Sequence, residues 1–302
     1  MKTLNTICPL CRRDSDQHVE SEYVYGGKDI QSYIYCKNCD LYYLTPKPSQ
    51  EDLDEFYINN FEDFMDKRSG ADSNWKEENI HLKIQEREAE RRMPFLKNSI
   101  KEGVKVLEIG ASTGFMLNAI SKLESSALLY ALEPSKQFSA FLEKSGFLCY
   151  REINEIPDDQ KFDLIIHFFV IAHVYDFEEF LLSYLSKLNV EGHMIFETPS
   201  VTDALYRLYD IPEFKKFYWQ VAHLVSFTNK SMKYLLDKHK LKYEILPHQR
   251  YDLSNHMVWM QEGKPGGRYR YDDVFSKELN SNYKKSLEDN WLCDSMIVKI
   301  YK

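Results

Sequence analysis

The 302-residue sequence predicts an α/β fold: a mostly parallel seven-stranded sheet with helices on both faces, preceded by a small cysteine-bearing module. Three observations predict it. From residue 104 onward, short apolar runs alternate with helix-spaced segments, the pattern that builds a parallel sheet. Within that region, VKVLEIGASTG at 104–114 joins a strand suited to burial on both faces to a glycine-bearing turn and a helix start. Near the N-terminus, four of the six cysteines fall into two CxxC pairs.

Residues 1–45 form the first predicted unit. Cys8-Pro-Leu-Cys11 and Cys36-Lys-Asn-Cys39 are separated by 24 residues. A CxxC turn places two thiolates on one side, and two such turns complete a tetrahedral metal site. The stretches YVYGG and QSYIY between them alternate like a β-hairpin. The spacing predicts a zinc ribbon in which Cys8, Cys11, Cys36 and Cys39 hold a structural Zn²⁺ and leave no position open for catalysis. Two disulfides are the other pairing, and an intracellular compartment opposes it. The start MKTLNTICPLC has no signal-peptide core, so a cytoplasmic protein is expected.

Residues 46–100 read as a helical linker and lid. TPKPSQEDLDEFY opens with prolines and then an acidic first helical turn, 60–75 is polar, and the stretch up to Ile100 reads as one long helix. Ile80, Leu82, Ile84 and Met93 supply its buried face. Residues 101–302 hold the sheet, with strands at 104–109, 128–134, 147–150, 162–170, 193–199, 242–246 and 295–301 and helices at 115–123, 135–145 and 176–188. Insertions at 200–235 and 247–290 are assigned to substrate. Cys149 and Cys293 lie on strands and read as core. Formal net charge is −8 with no dense Lys/Arg stripe, which opposes a broad nucleic-acid footprint. No apolar run reaches the ~20 residues that span a bilayer.

The 104–114 turn carries the chemistry. Val104, Val106, Leu107 and Ile109 make the strand, and Gly110 and Gly114 let a cofactor approach bare backbone at a helix N-terminus. Glu133 follows at the end of the next strand, where an acid can accept hydrogen bonds from both ribose hydroxyls. The G-x-G-x-x-G spacing of a dinucleotide site is absent, because Ala111 and Ser112 follow Gly110. Glu108 would oppose a pyrophosphate but suits an ammonium group.

On these residues the chain resembles the class I S-adenosylmethionine (SAM) dependent methyltransferases, whose Rossmann-like sheet ends in an antiparallel strand; SMIVKIY at the C-terminus fits that role. The resemblance implies that the Glu108–Gly110–Gly114 turn wraps the methionyl part of SAM and that Glu133 holds its ribose. It also implies that Glu152 and Ile153 contact adenine, that His167 and Phe168 lie alongside the cofactor, and that Tyr57 closes over it. With the two CxxC pairs, roughly residues 1–245 are similar to the zinc-binding methyltransferases of bacterial sugar pathways. There a histidine in an E-H-x-x-x-F-S/T segment is the proposed general base. His223, in AHLVSFT, occupies that place, with Ala222 where the family has Glu, so an orienting acid must come from elsewhere. His173 lies in a segment similar to the family's E-H-V and is read as tying the loop to the sheet.

The segment 247–272 is predicted as a long loop on the rim of the site. Asn255 and Trp259 would hold a sugar, His256 is an alternate base, and Lys264 and Arg268 in GKPGGR would meet phosphates. The C-methyltransferases of deoxysugar pathways carry a further C-terminal domain, whereas this chain ends at its final strand, which favours O-methylation. The expected function is therefore methyl transfer from SAM to a sugar hydroxyl of a nucleotide sugar or a surface-glycan precursor such as a capsule unit, a small-molecule substrate. The alternatives are C-methylation of a nucleotide keto-sugar and methylation of rRNA or tRNA. Charge opposes the RNA reading, as does the lack of an N/D-P-P-Y/F signature after the fourth strand, where HFFV stands.

Overall fold

The computed structural model describes residues 6–69 and 78–302. Two sheets organise them. The N-terminal sheet contains β1 (Gln17–Ser21), β2 (Ser32–Cys36) and β3 (Leu41–Thr45), joined by the distant β9 (Val225–Ser226) in the order β1-β2-β3-β9. Its pairings are antiparallel, and β3 meets β9 through Tyr42 opposite Ser226 and Tyr43 opposite Val225.

The large sheet contains β4 (Lys105–Ile109), β5 (Leu128–Leu132), β6 (Leu148–Tyr150), β7 (Phe162–Phe168), β8 (Leu188–Pro199), β10 (Lys242–His248) and β11 (Ser295–Tyr301). Their order is β10-β11-β8-β7-β4-β5-β6. Strands β4 to β8 pair in parallel, and β11 runs antiparallel to both β8 and β10. The expected seven strands and reversed last strand are present. The strand order turns around beside β4, and in open α/β sheets ligands bind outside the carboxyl ends of strands at such a point.

Helices α1 (Gln50–Glu55), α2 (Phe61–Ser69) and α3 (Glu78–Leu96) precede the large sheet, with a π-helical turn at Phe56–Asn60 between the first two. The others are α4 (Phe115–Leu123), α5 (Lys136–Lys144), α6 (Phe177–Ser186), α7 (Ala204–Arg207), α8 (Pro212–Tyr218), α9 (Asn229–Lys238), α10 (Leu253–Glu262) and α11 (Lys277–Asp289). Side-chain caps start several of them: Ser135, Asp176 and Thr228 accept from the first turns of α5, α6 and α9. Among the described residues, no helix is long and apolar enough to cross a membrane.

Two expectations about elements change. The first ribbon strand is Gln17–Ser21 and not YVYGG: the Tyr25 N–H donates to Trp219 O, and Tyr25 bridges to Gln220, so that stretch pairs with the 219–220 segment instead. The 247–272 segment is no open loop, because Leu253–Glu262 is helix α10, capped by Asp252 and ended at Gly263 with φ 64°. Residues 70–75 of the expected lid, and the side chains of Ile80 and Leu82, lie outside the described part. Ile84 is exposed, whereas Met93 packs on the core with Leu96.

The ribbon shares its core with the rest of the chain. Leu10, Ile34 and Leu41 pack in one cluster with Val225, Phe227 and Leu235, while Tyr33, Tyr42 and Leu44 pack with Trp219 and Leu224.

Candidate active site

The turn after β4 is built from backbone constraints. Gly110 and Gly114 both have left-handed φ, 69° and 71°, a region that costs other residues roughly 1–2 kcal/mol. A Cβ on Gly110 would stand 2.9 Å from Val170, and one on Gly114 would stand 2.7 Å from Leu142. Glu133, just past β5, is buried and accepts from the backbone N–H of Ser112 at 2.8 Å and of Ser135 at 3.0 Å. Burial pushes its carboxyl up, and those two N–H groups pull it back. Glu108 is buried beneath the turn with Oε2 unpartnered. Burial raises its carboxyl to about 8, against the pull of Arg92. A bare, glycine-lined turn with an orphaned carboxylate below and a held carboxylate beside it fits a ligand that carries an ammonium group and a ribose. Glu152 is the exposed residue that precedes a 3₁₀ turn at Ile153–Glu155, close after the end of β6.

Beside that turn, three loops bring together aromatic and histidine side chains. The loop after β7 meets the 220–225 segment through Leu224 N–H donating to Ala172 O at 2.8 Å. The rings of His173 and His223 therefore lie edge to face, 4.8 Å between centroids. Tyr57, in the π-helical turn, reaches His173 Nδ1 at 2.8 Å and Ala222 O at 3.3 Å; such turns recur at functional sites. Gln220 Nε2 lies 3.1 Å from His223 Nε2, where the family pattern would lead one to look for an acid. From the ribbon, the Tyr33 hydroxyl donates to the carbonyls of Gln220 and His223. Burial, then His173 and Arg68, hold the His223 imidazole well below its ordinary value, and burial brings His173 down to about 4. Both rings are neutral near pH 7. Burial raises the Tyr57 phenol, so it keeps its proton.

Arginines crowd the other side. The guanidinium of Arg92 lies 4.2 Å from the Phe168 ring, and that of Arg250 lies 4.2 Å from the ring of Phe169, a residue of φ 59° just past β7. Glu197, buried near the end of β8, accepts from Arg91 at 2.7 Å and from Arg92 at 3.1 Å.

A family model described as a methyltransferase domain matches residues 81–244, more than half of the chain. The chain belongs to the methyltransferase-domain family. Its sheet and β4 turn are those of the class I, SAM-dependent members. Similar solved structures include a SAM-dependent methyltransferase from Archaeoglobus fulgidus (17% identity, 72% of this chain and 94% of that one, TM-score 0.49). Another, from Thermotoga maritima, has 17% identity over 76% of this chain and 97% of that one, TM-score 0.48. The plantazolicin methyltransferase BpumL has 16% identity over 84% of this chain and 99% of that one, TM-score 0.49. No curated protein matches the chain.

Several residues of this methyltransferase stand elsewhere than expected. His167 is fully buried, stacked 4.5 Å on Phe196 and edge-on to Phe180 of α6, and among the described residues neither ring nitrogen has a partner. Side chains alternate along β7, so of this pair Phe168 and not His167 faces the arginines. Asn255, His256 and Trp259 lie on α10 and turn inward. Trp259 packs 5.0 Å from both Phe214 and Phe217, and His256 contacts Tyr283 and Gln249. In the glycine-rich turn, Lys264 is exposed and pairs with Glu262, whereas Arg268 swings inward to Glu88 at 2.7 Å. Gly267 is required by α10, since a Cβ there would stand 2.6 Å from Val258. His173, Arg91, Arg92 and Arg250 were not among the expected site residues. Only the E-H-V likeness at His173 signalled any of them.

The four ribbon cysteines converge. Cys8 Sγ lies 3.5 Å from Cys39 Sγ, Cys11 Sγ lies 3.6 Å from Cys36 Sγ, and all four lie within 4.8 Å of one another. Tetrahedral Zn–S bonds of ~2.3 Å place sulfurs about 3.8 Å apart. The set is that of a zinc ribbon, three cysteines buried and Cys11 half-buried.

Proposed function

We propose that this methyltransferase acts on a hydroxyl of a sugar, as a nucleotide sugar or a surface-glycan precursor, with His223 as general base and a structural Zn²⁺ in the ribbon. What supports a histidine base is the neutral His223–His173–Tyr57 cluster beside the carboxyl end of β7. SAM, when bound, supplies an electrophilic methyl group on a sulfonium. Glu133 accepts from the ribose hydroxyls, Glu108 faces the ammonium end through the Gly110 turn, and Glu152 and Ile153 border the adenine after β6. Tyr57 shares a hydrogen bond with His173 Nδ1, which holds that ring against His223. His223 takes the proton that the acceptor hydroxyl loses. A depressed imidazole suffices, because an oxygen that is gaining a methyl group becomes strongly acidic as its new bond forms. The base contributes roughly 10²–10⁴-fold.

The test is mass spectrometry with SAM and a panel of nucleotide-activated hexoses and heptoses, with and without a 4-keto group. Gain of one methylene on a fully hydroxylated sugar is the expected result. Gain confined to keto-sugars would replace O-methylation by C-methylation. His223→Ala should lower turnover by about 10²–10⁴-fold. Retention of more than half the wild-type rate would remove His223 from the chemistry.

A further inference from the structure

The arginines over Phe168 and Phe169 are not explained by methyl transfer itself. Four guanidinium groups, Arg91, Arg92, Arg250 and Arg268, surround two carboxylates, Glu88 and Glu197. Glu197 is engaged by Arg91 and Arg92, and Glu88 by Arg91, Arg92 and Arg268. Burial works against charge on Glu88, yet Arg250, Arg91, Arg268 and Arg92 together hold it far below the usual carboxylate range. The nearby Asp294 accepts from the N–H groups of Arg250 and Tyr251 and from Gln249 Nε2, and Asp252 accepts from the N–H groups of Asn255 and Tyr269.

Arg250 is the exception in this network. Among the described residues, its guanidinium has no hydrogen bond and no ion pair, and Nε is buried without a partner. It lies flat against Phe169, 4.2 Å from the ring centroid, at the carboxyl end of β7. Nε of Arg268 is likewise buried and unpartnered. An arginine with unmade hydrogen bonds is costly to bury, and a planar, bidentate oxyanion would supply the missing partners.

We infer that Arg250 and Arg268 form an oxyanion-binding subsite for the methyl acceptor over Phe169, so that the acceptor carries a phosphate or a carboxylate beside the hydroxyl that is methylated. The subsite rests on the methyltransferase reading of the crevice. It adds Arg250 as a specificity residue and replaces Lys264, which pairs with Glu262 at the surface.

The test is calorimetric titration of the full chain, first with S-adenosylhomocysteine and then with inorganic pyrophosphate and with glucuronate. Wild type should bind one of the two anions, more weakly as salt rises. Pyrophosphate would identify a phosphorylated acceptor and glucuronate a carboxylated one. Arg250→Gln should weaken that anion at least tenfold and leave the S-adenosylhomocysteine affinity unchanged. Arg250→Lys keeps the charge but loses the planar fork, and should also weaken binding while melting like wild type. Three results overturn the subsite: neither anion binds, Arg250→Lys and Arg250→Gln bind anion as wild type does, or S-adenosylhomocysteine affinity falls with the anion's. The last would assign the arginines to the cofactor's own carboxylate. Failure of wild type to bind S-adenosylhomocysteine would instead overturn the methyltransferase reading beneath the subsite.

Discussion

Gly114 shows how much one residue of the site can be asked to do. It combines φ 71° with the packing of Leu142 and Phe147 against its α-carbon, and it forms the cap of α4. Gly114→Ala adds left-handed strain of about 1–2 kcal/mol and a methyl group with no space to occupy. Urea unfolding should show a stability loss of roughly 2–3 kcal/mol, and a variant as stable as wild type would mean the turn is looser than drawn. Gly110 and Gly114 were legible in the sequence because the left-handed backbone of a turn after a buried strand requires glycine, and Glu108 and Glu133 stand beside that turn. His167 was not, since a histidine on a strand reads the same whichever face it takes. Its pairing with Phe196 and Phe180 follows from strand parity.

The ribbon and β9 make the case for elements. A two-residue strand, Val225–Ser226, joins the cysteine module to the segment that carries His223, and Leu44 N–H adds a bond to Leu224 O at 3.0 Å. Metal binding in small modules is worth roughly 10–16 kcal/mol and is also folding energy. Stripping the proposed Zn²⁺ with a chelator and a thiol reagent should release one metal per chain and expose residues 6–45 to hydrogen exchange. Because Tyr33 and β3 hold the His223 loop, residues 220–228 should lose protection with them. Protection unchanged at 220–228 would show that the loop stands without the ribbon. Helix α10 was hidden for a related reason. Its apolar residues cover more than one face and pack against α8 and Tyr283, so the segment lacks the one-sided periodicity of a surface helix.

Over the whole molecule, burial of titratable groups sets the pH response. His167, His173, His223 and His256 are all held below the ordinary imidazole value, His167 at about 3 and His256 at about 4, with burial the first cause in each. The unfolded chain binds these protons near pH 6.5 and the folded chain does not. Their contribution is therefore whole above that pH and is lost as pH falls, at up to about 1.4 kcal/mol per unit for each histidine. Glu108 and Asp203, raised by burial, pull the other way over the same range. His167 isolates the effect, having no hydrogen bond on either nitrogen. His167→Phe should be tolerated at pH 7 and should stabilise the fold progressively toward pH 5, measured as the difference in denaturant midpoint. An equal shift at both pH values would place the imidazole in contact with water.

By itself the sequence determined the order of the seven large-sheet strands and of the helices between the first five, the reversed final strand, the glycine turn with its two acids, and the paired cysteines. Each of these is written in local spacing, in apolar periodicity or in a backbone angle that few residues tolerate. Only the tertiary structure decided that His173 and Tyr57 stand with His223, that α10 turns Trp259 inward, and that Arg92 and Arg250 lie over Phe168 and Phe169. Those groupings join segments well separated in the sequence. They depend on which face of each element is buried, and local spacing does not carry that information across such distances.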